Sequence, residues 1–270
     1  MTSAERRQTR LVVGTLLLAS VFVAEAAFPG VFRVPAWHDR MVRLGSLIKL
    51  GLEASAALLA ARNAARFDPG STARRAWRFL AAAMIAIVLG QLSLAPQQLF
   101  GVTATPSLAT DVLFLSSYVP LLLALVAFVR AFDDAGLPIG TPTARAAFMG
   151  VGILLGSLAL APLLRPLADG HEGPWSVATS LAYPVGDLLV LLVTLALAHV
   201  AVRFGGRLRR VWVALLGGVA ALAVGDLVSA HVARGVWLAF EPLIDGLFVL
   251  GYGFVAVAAV AQRSLIEDEA

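Results

Sequence analysis

The sequence predicts an all-α integral membrane protein, and three features predict it: a hydrophobic composition, long apolar runs and a one-sided distribution of arginine. Of its 270 residues, 59% are hydrophobic and 14% are charged, whereas roughly one quarter of the residues in a soluble domain are charged. An apolar run of about 20 residues is long enough for a helix to cross a bilayer. Eight such runs can be placed, near 11–28, 44–61, 79–95, 109–131, 147–164, 178–202, 211–230 and 244–262.

Arginine sets the predicted orientation. If the N-terminus is cytoplasmic, most arginines fall in cytoplasmic segments, which by the positive-inside rule places both termini in the cytoplasm. The excess of base therefore indicates topology rather than a nucleic-acid partner. The bias toward Ala, Leu, Val and Arg is typical of bacteria with GC-rich DNA, so we expect a bacterial inner membrane. The main arginine clusters are Arg6, Arg7 and Arg10, then Arg74, Arg75 and Arg78, then Arg207, Arg209 and Arg210.

The first apolar run has two interpretations. "RRQTR", followed by an apolar stretch and "AEAA", also resembles a secretory signal with a small-residue cleavage site. Cleavage would leave seven spans and break the repeat described next, so we favour a retained first helix. The chain has no cysteine, which excludes disulfides and thiolate metal sites.

An internal duplication organises the predicted spans. "AARF", "RRAW", "LGQ" and "DVLFLSSY" recur in the same order as "AVRF", "RRVW", "VGD" and "DGLFVLGY". We predict a single membrane domain, 1–270, built from two four-helix units, 1–135 and 140–266. An even number of spans per unit makes the repeats parallel, related by a pseudo-two-fold axis along the membrane normal. Pro120 and Pro184 are expected to kink their helices or to mark their starts.

Polar residues at membrane depth are candidates for function, because a charge within a span is expensive to keep. Glu25 and Glu241, at the outer ends of their helices, are polar residues of this kind. Counted along the helices, the group lies in the outer half of the bilayer or at its outer surface, which predicts a polar pocket that opens outward. The predicted pocket residues are Lys49, Glu53, Gln91, Asp111, Tyr118, Tyr183, Asp187, Asp226, Asp245 and Tyr252.

Spacing suggests how some of these residues pair. Lys49 and Glu53 are i,i+4 neighbours on one helix. When "AARF" is aligned with "AVRF", Asp187 falls opposite position 50, which predicts a Lys49–Asp187 salt bridge between the units. Helix capping is the competing explanation for the acids: Asp111 and Asp245 stand where helices begin, and Asp187 follows Pro184 closely enough to occupy a first turn.

Asp226 is the acid that capping does not explain, because it lies deep within its span. The histidines give weaker signals. His38, His171 and His231 fall on the predicted outer side, where a metal site can be imagined without any supporting ligand spacing. Paired haem ligation is disfavoured because His199 and His231 lie toward opposite sides.

No cofactor is identified by the sequence. Lys49 with Glu53 formally meets the needs of a retinal pigment, a lysine and its counter-ion, but a duplicated eight-span chain does not suggest one. No phosphate loop, nucleophile elbow or zinc-binding helix is present, so we expect a binding protein rather than an enzyme.

The paired "LGQ" and "VGD" motifs, the paired D-x-L-F-x-x-x-Y motifs and "YPVGDLLVLL" (183–192) are similar to a known type of sensor. They resemble the multi-helix membrane region that precedes diguanylate cyclase, phosphodiesterase or histidine-kinase domains in actinobacterial and myxobacterial signalling proteins. The resemblance implies signal reception in the membrane and transmission through the last helix. The 270 residues contain no such output domain, so it also implies a cytoplasmic signalling partner or a longer chain.

Three functions remain as hypotheses. The first is a sensory or ligand-binding module whose outer pocket engages a small molecule or a lipid. The second is a small-molecule transporter with its site at the repeat interface, although the inner half lacks a matching set of polar groups. The third is an intramembrane lipid hydrolase with an Asp/His site, for which no catalytic spacing is visible.

Overall fold

The computed structural model describes residues 3–27, 35–100, 108–136, 174–201, 206–233, 235, 238–241 and 243–269, with isolated positions between 143 and 157. Strands are absent from this part of the chain. It forms seven long helices, with a short 3-10 turn at Leu238–Phe240 before the last of them. The helices are α1 (Ser3–Ala27), α2 (Pro35–Arg66), α3 (Thr72–Phe100), α4 (Leu108–Asp134), α5 (Pro174–Ala201), α6 (Gly206–Ala233) and α7 (Leu243–Glu269).

Six of these helices, α2 to α7, contain apolar segments long enough to cross a membrane, and α1 contains a shorter one, Thr9–Ala24. The chain is therefore built as a multi-pass membrane protein, in agreement with the predicted fold class. The span predicted near 147–164 falls almost entirely outside the described residues. The predicted eight spans, the repeat and the orientation stay predictions.

Three helix pairs and one aromatic cluster hold the bundle together. α2 packs along α3, α3 along α4 and α6 along α7, while α7 also contacts α1 and α2. The ring of Phe128 meets Trp77 at 5.5 Å and Trp212 at 4.8 Å between centroids, both edge to face. Phe132 approaches Trp212 in the same way, at 4.5 Å. These rings join α3, α4 and α6 toward the helix ends that carry the arginine clusters.

A glycine sets the spacing of α6 and α7. A Cβ atom placed on Gly218 would lie 2.8 Å from the backbone oxygen of Gly251 and 3.0 Å from the backbone nitrogen of Val255. Small residues allow this kind of close backbone approach between membrane helices. The last two helices thus meet backbone to backbone where they cross.

The prolines do not mark helix starts. Pro120 lies within α4 and Pro184 within α5, as membrane helices tolerate because neighbouring groups satisfy the freed backbone atoms. The prediction that Asp187 occupies a first helical turn is therefore wrong, since α5 already begins at Pro174. Asp111 and Asp245 do lie in the first turns of α4 and α7.

Candidate functional site

A cavity lies between α2, α3, α4, α5, α6 and α7. Its volume is about 360 Å³, within the range of about 300 to 1,000 Å³ that is usual for small-molecule sites. Its deeper wall is apolar and includes Ile87, Leu121 and Val190. The predicted site residues that line it are Lys49, Glu53, Gln91, Tyr118, Tyr183, Asp187, Asp226, Asp245 and Tyr252.

One wall of the cavity carries an ion pair. Lys49 Nζ lies 2.6 Å from Asp245 Oδ1, and the two side chains are 13% and 31% exposed. The same ammonium lies 5.8 Å from the centre of the Phe248 ring, within the distance of about 6 Å at which a cation is attracted to an aromatic face. Phe248 in turn stacks on Tyr252, with centroids 6.3 Å apart. The Lys49–Asp245 ion pair and the cation–π contact of Lys49 with Phe248 thus join α2 to α7.

The predicted salt bridge between Lys49 and Asp187 is wrong, because Lys49 pairs with Asp245. The error comes from the alignment that predicted it. "AARF" and "AVRF" flank turns of different length: Phe67 precedes Trp77 by two residues more than Phe204 precedes Trp212. A shift of two or three residues approaches one helical turn, which is enough to replace one partner by another.

A second wall, formed by α4 and α5 with α6, is rich in acid. The Tyr118 hydroxyl donates a hydrogen bond of 2.7 Å to Asp187 Oδ1. The close approach requires Gly186, where a Cβ atom would lie 2.7 Å from the Tyr118 ring. Asp226 extends from α6 to within hydrogen-bonding reach of the Asp187 carboxyl group. Two acids therefore face each other inside the bundle, where the low dielectric strengthens the electrostatic interaction between them.

Two further tyrosine contacts complete the network. The Tyr183 hydroxyl donates to Asp111 Oδ1 at 3.1 Å, so Asp111 belongs to the network although it does not line the cavity. The Tyr252 hydroxyl lies within hydrogen-bonding reach of the carboxyl group of Glu53, a residue that is 1% exposed. Every tyrosine in the chain, three in all, therefore lies within hydrogen-bonding reach of a carboxyl group on another helix.

The polar contacts between helices fall into two sets with the same geometry. In each, an aspartate in a first helical turn and a tyrosine seven residues later contact two residues that are four apart on a second helix. Seven residues make about two helical turns and four residues about one, so each helix presents its two residues on one face. The first set is Asp111 and Tyr118 with Tyr183 and Asp187; the second is Asp245 and Tyr252 with Lys49 and Glu53.

The remaining candidates lie apart from this network or outside the described residues. His231 is buried, with Nδ1 2.8 Å from the Leu227 backbone oxygen, and does not line the cavity. Glu241 is exposed. Within the described ranges, no group of three His, Cys, Asp or Glu side chains could hold a metal ion. The side chains of Glu25, His38, His171 and His199 fall outside what the structure describes.

The predicted pocket residues included the three tyrosines but not two phenylalanines that line the cavity, Phe114 and Phe248, although both stand in the repeated motif. The rarity of two residue types in the sequence also indicates the site. Lys49 is the single lysine of the chain and tyrosine occurs three times, and all four of these residues line one cavity. Rare polar residue types that share one depth in a membrane bundle indicate a site more directly than motif spacing does.

Comparison with protein-family models, with curated proteins and with solved structures finds no match for the chain.

Proposed function

We propose that the chain is a membrane-embedded sensory module that binds a small molecule in the cavity lined by the six helices α2 to α7. One observation carries this proposal: charged and tyrosine side chains from helices that are distant in sequence line the cavity and contact one another across the helices. Buried polar groups are costly unless they are paired. Because this arrangement also leaves space for a ligand, it supports a ligand-binding function.

Transmission through α7 follows from the position of that helix. Asp245, Phe248 and Tyr252 line the cavity, and the same helix continues to Glu269. Beyond the cavity it is tied to α2 by a buried hydrogen bond of 2.8 Å from Asn63 Nδ2 to the Ala259 backbone oxygen. A ligand that shifts the cavity end of α7 would therefore move its far end, where a cytoplasmic signalling partner could respond.

The two contact sets support the predicted parallel repeat. Every residue of one set has a counterpart 134 positions away in the other set. The four pairs are Asp111 and Asp245, Tyr118 and Tyr252, Lys49 and Tyr183, and Glu53 and Asp187. The paired glycines behave alike as well: a Cβ atom on Gly90 would lie 2.9 Å from Phe114, and one on Gly225 would lie 3.3 Å from Phe248. A ligand would then bind at the interface between the two units.

A transporter is the second candidate, and the same pseudo-symmetry favours it, since transporters often bind substrate at the interface of two repeats. The packing below the cavity opposes it. Trp77, Phe128 and Trp212 are buried there, and their rings fill the space toward the arginine-bearing ends. Transport would require this cluster to separate.

Cysteine labelling can test the sensory function, because the chain has no native cysteine. Arg209→Cys on α6 and Leu265→Cys on α7 would carry spin labels in nanodiscs. Compounds are first selected by their ability to raise the Tm of the wild type but not that of Asp226→Asn. We expect such a compound to change the distance distribution between the labels. Binding without any change would contradict transmission through α7, and uptake of the compound into proteoliposomes would favour transport.

A further inference from the structure

The cavity has more acid than base. Glu53, Asp187, Asp226 and Asp245 line it, whereas Lys49 is its one basic residue within the described part of the chain. Lys49 is already paired with Asp245. Among the described residues, Asp187 and Asp226 therefore have no cation of their own, although both lie within a bundle where an unpaired charge is expensive.

Asp187 shows where a partner is missing. Its side chain is 4% exposed. Oδ1 accepts the hydrogen bond from Tyr118, while the buried Oδ2 has no hydrogen-bond donor among the described residues other than the facing Asp226 carboxyl group. Its nearest ionisable neighbour on α6 is Asp226, a second acid. A ligand with a positive charge and an N–H group would satisfy both carboxyl groups together.

Lys49 shows how this protein holds an ammonium group. Its Nζ contacts a carboxylate at 2.6 Å and faces an aromatic ring at 5.8 Å. The opposite wall offers the same two elements, a carboxyl group and aromatic side chains, because Tyr118 and Tyr183 meet there edge to face at 6.4 Å. The described residues of that wall include no cation.

We propose that Asp187 and Asp226 bind the protonated amine of a small organic molecule whose apolar body lies against Ile87, Leu121 and Val190. The inference rests on the proposed ligand-binding function and names its ligand class. Metal ions fit less well. The described residues offer no three-ligand metal group, and a cavity of about 360 Å³ with an apolar and aromatic wall suits a molecule with a carbon skeleton.

Matched amines and alcohols test the proposal on the full chain in detergent. The probes are 2-phenylethylamine, cyclohexylmethylamine and hexylamine, each against the alcohol of the same skeleton, in potassium buffer. We expect at least one amine to raise the Tm while its alcohol does not. Asp187→Asn and Asp226→Asn should each weaken binding of that amine about tenfold or more. Glu241→Gln, which makes the same chemical change outside the cavity, should leave it unaltered.

Several results would overturn the proposal: amines that act no better than their alcohols, a Tm rise that survives both Asn variants, or sodium reproducing the effect of the amine. If neutral or anionic compounds bind instead, with an effect that Tyr252→Phe removes, the ligand-binding function stands and the amine is rejected. If the Asn variants fail to fold, photolabelling of the wild type with a diazirine-bearing phenylethylamine tests the proposal instead. Labels on α4, α5 and α6 support the site, and labels elsewhere reject it.

Discussion

Lys49 Nζ and Asp245 Oδ1 lie 2.6 Å apart although 196 residues separate them in the chain. The pair joins the middle of α2 to the first turn of α7 at the edge of the cavity. An acid in a first helical turn is already favoured by the helix dipole, so capping accounts for the position of Asp245. It does not account for the lysine. The ion pair is what connects the acid to the rest of the bundle.

The first prediction concerns this ion pair. Lys49→Met or Asp245→Asn alone should leave a charge without its partner, and each should lower the free energy of unfolding by about 1 to 3 kcal/mol, below the value for fully buried pairs because both side chains reach the cavity. The double variant should lose less than the sum, with a coupling energy of about 1 kcal/mol or more. Unfolding by sodium dodecyl sulfate in mixed micelles measures all three values.

The control for this cycle replaces Asp245 by the partner that the sequence predicted. Lys49→Met combined with Asp187→Asn should show a smaller coupling energy, because Asp187 is bonded to Tyr118. Equal coupling in the two cycles, or a stronger one with Asp187, would contradict the observed pairing.

The second prediction ranks the three tyrosine hydroxyl groups. Tyr118→Phe and Tyr252→Phe remove a donor from Asp187 and Glu53, which are 4% and 1% exposed, so each should cost about 1 to 3 kcal/mol. Tyr183→Phe should cost less, because its partner Asp111 is only partly buried and can be solvated. The same unfolding assay gives the order. A larger loss for Tyr183→Phe than for the other two would show that burial does not set these energies.

Much of the helical architecture could be predicted from the sequence because it depends on local composition. An apolar run defines a membrane span by length alone, and the first-turn positions of Asp111 and Asp245 follow from where the runs begin. The residues around the cavity were also predictable, since membrane depth is counted along a single helix and charges at that depth are rare.

Pairing was not predictable in the same way. The partner of Lys49 depends on the register between helices far apart in sequence, and an alignment anchored at "AARF" misplaced that register by most of a turn. Whether Pro184 kinks its helix or marks its start was open for a related reason, because a membrane helix can continue through proline when its neighbours satisfy the backbone, as α5 does. Both features are set by tertiary contacts.

The third prediction concerns the crossing of α6 and α7. Gly218→Ala should destabilise the protein by about 1 to 3 kcal/mol, because the added methyl group meets backbone atoms that only a shift of the helix can relieve. Gly217→Ala is the matched control one residue away. Its nearest neighbour would be a Phe254 atom at 4.0 Å, so we expect no loss, or a gain of up to about 1 kcal/mol from helix propensity. Equal effects at the two positions would contradict the close crossing.

The fourth prediction tests whether α1 packs on α7 in the mature protein, which decides between a retained helix and a cleaved signal. A Cβ atom on Gly246 would lie 3.5 Å from Phe22 Cβ, at the short end of the Cβ–Cβ range of about 3.5 to 4.5 Å seen in disulfides. Phe22→Cys with Gly246→Cys should therefore form an intramolecular disulfide under mild oxidation, found by peptide mass mapping. The control pairs Gly246→Cys with Val21→Cys, whose native side chain is 42% exposed and faces away, and should stay reduced. A mature protein that lacks α1, or cross-linking at both positions, would refute this packing, because only a helix fixed against α7 distinguishes residue 22 from residue 21.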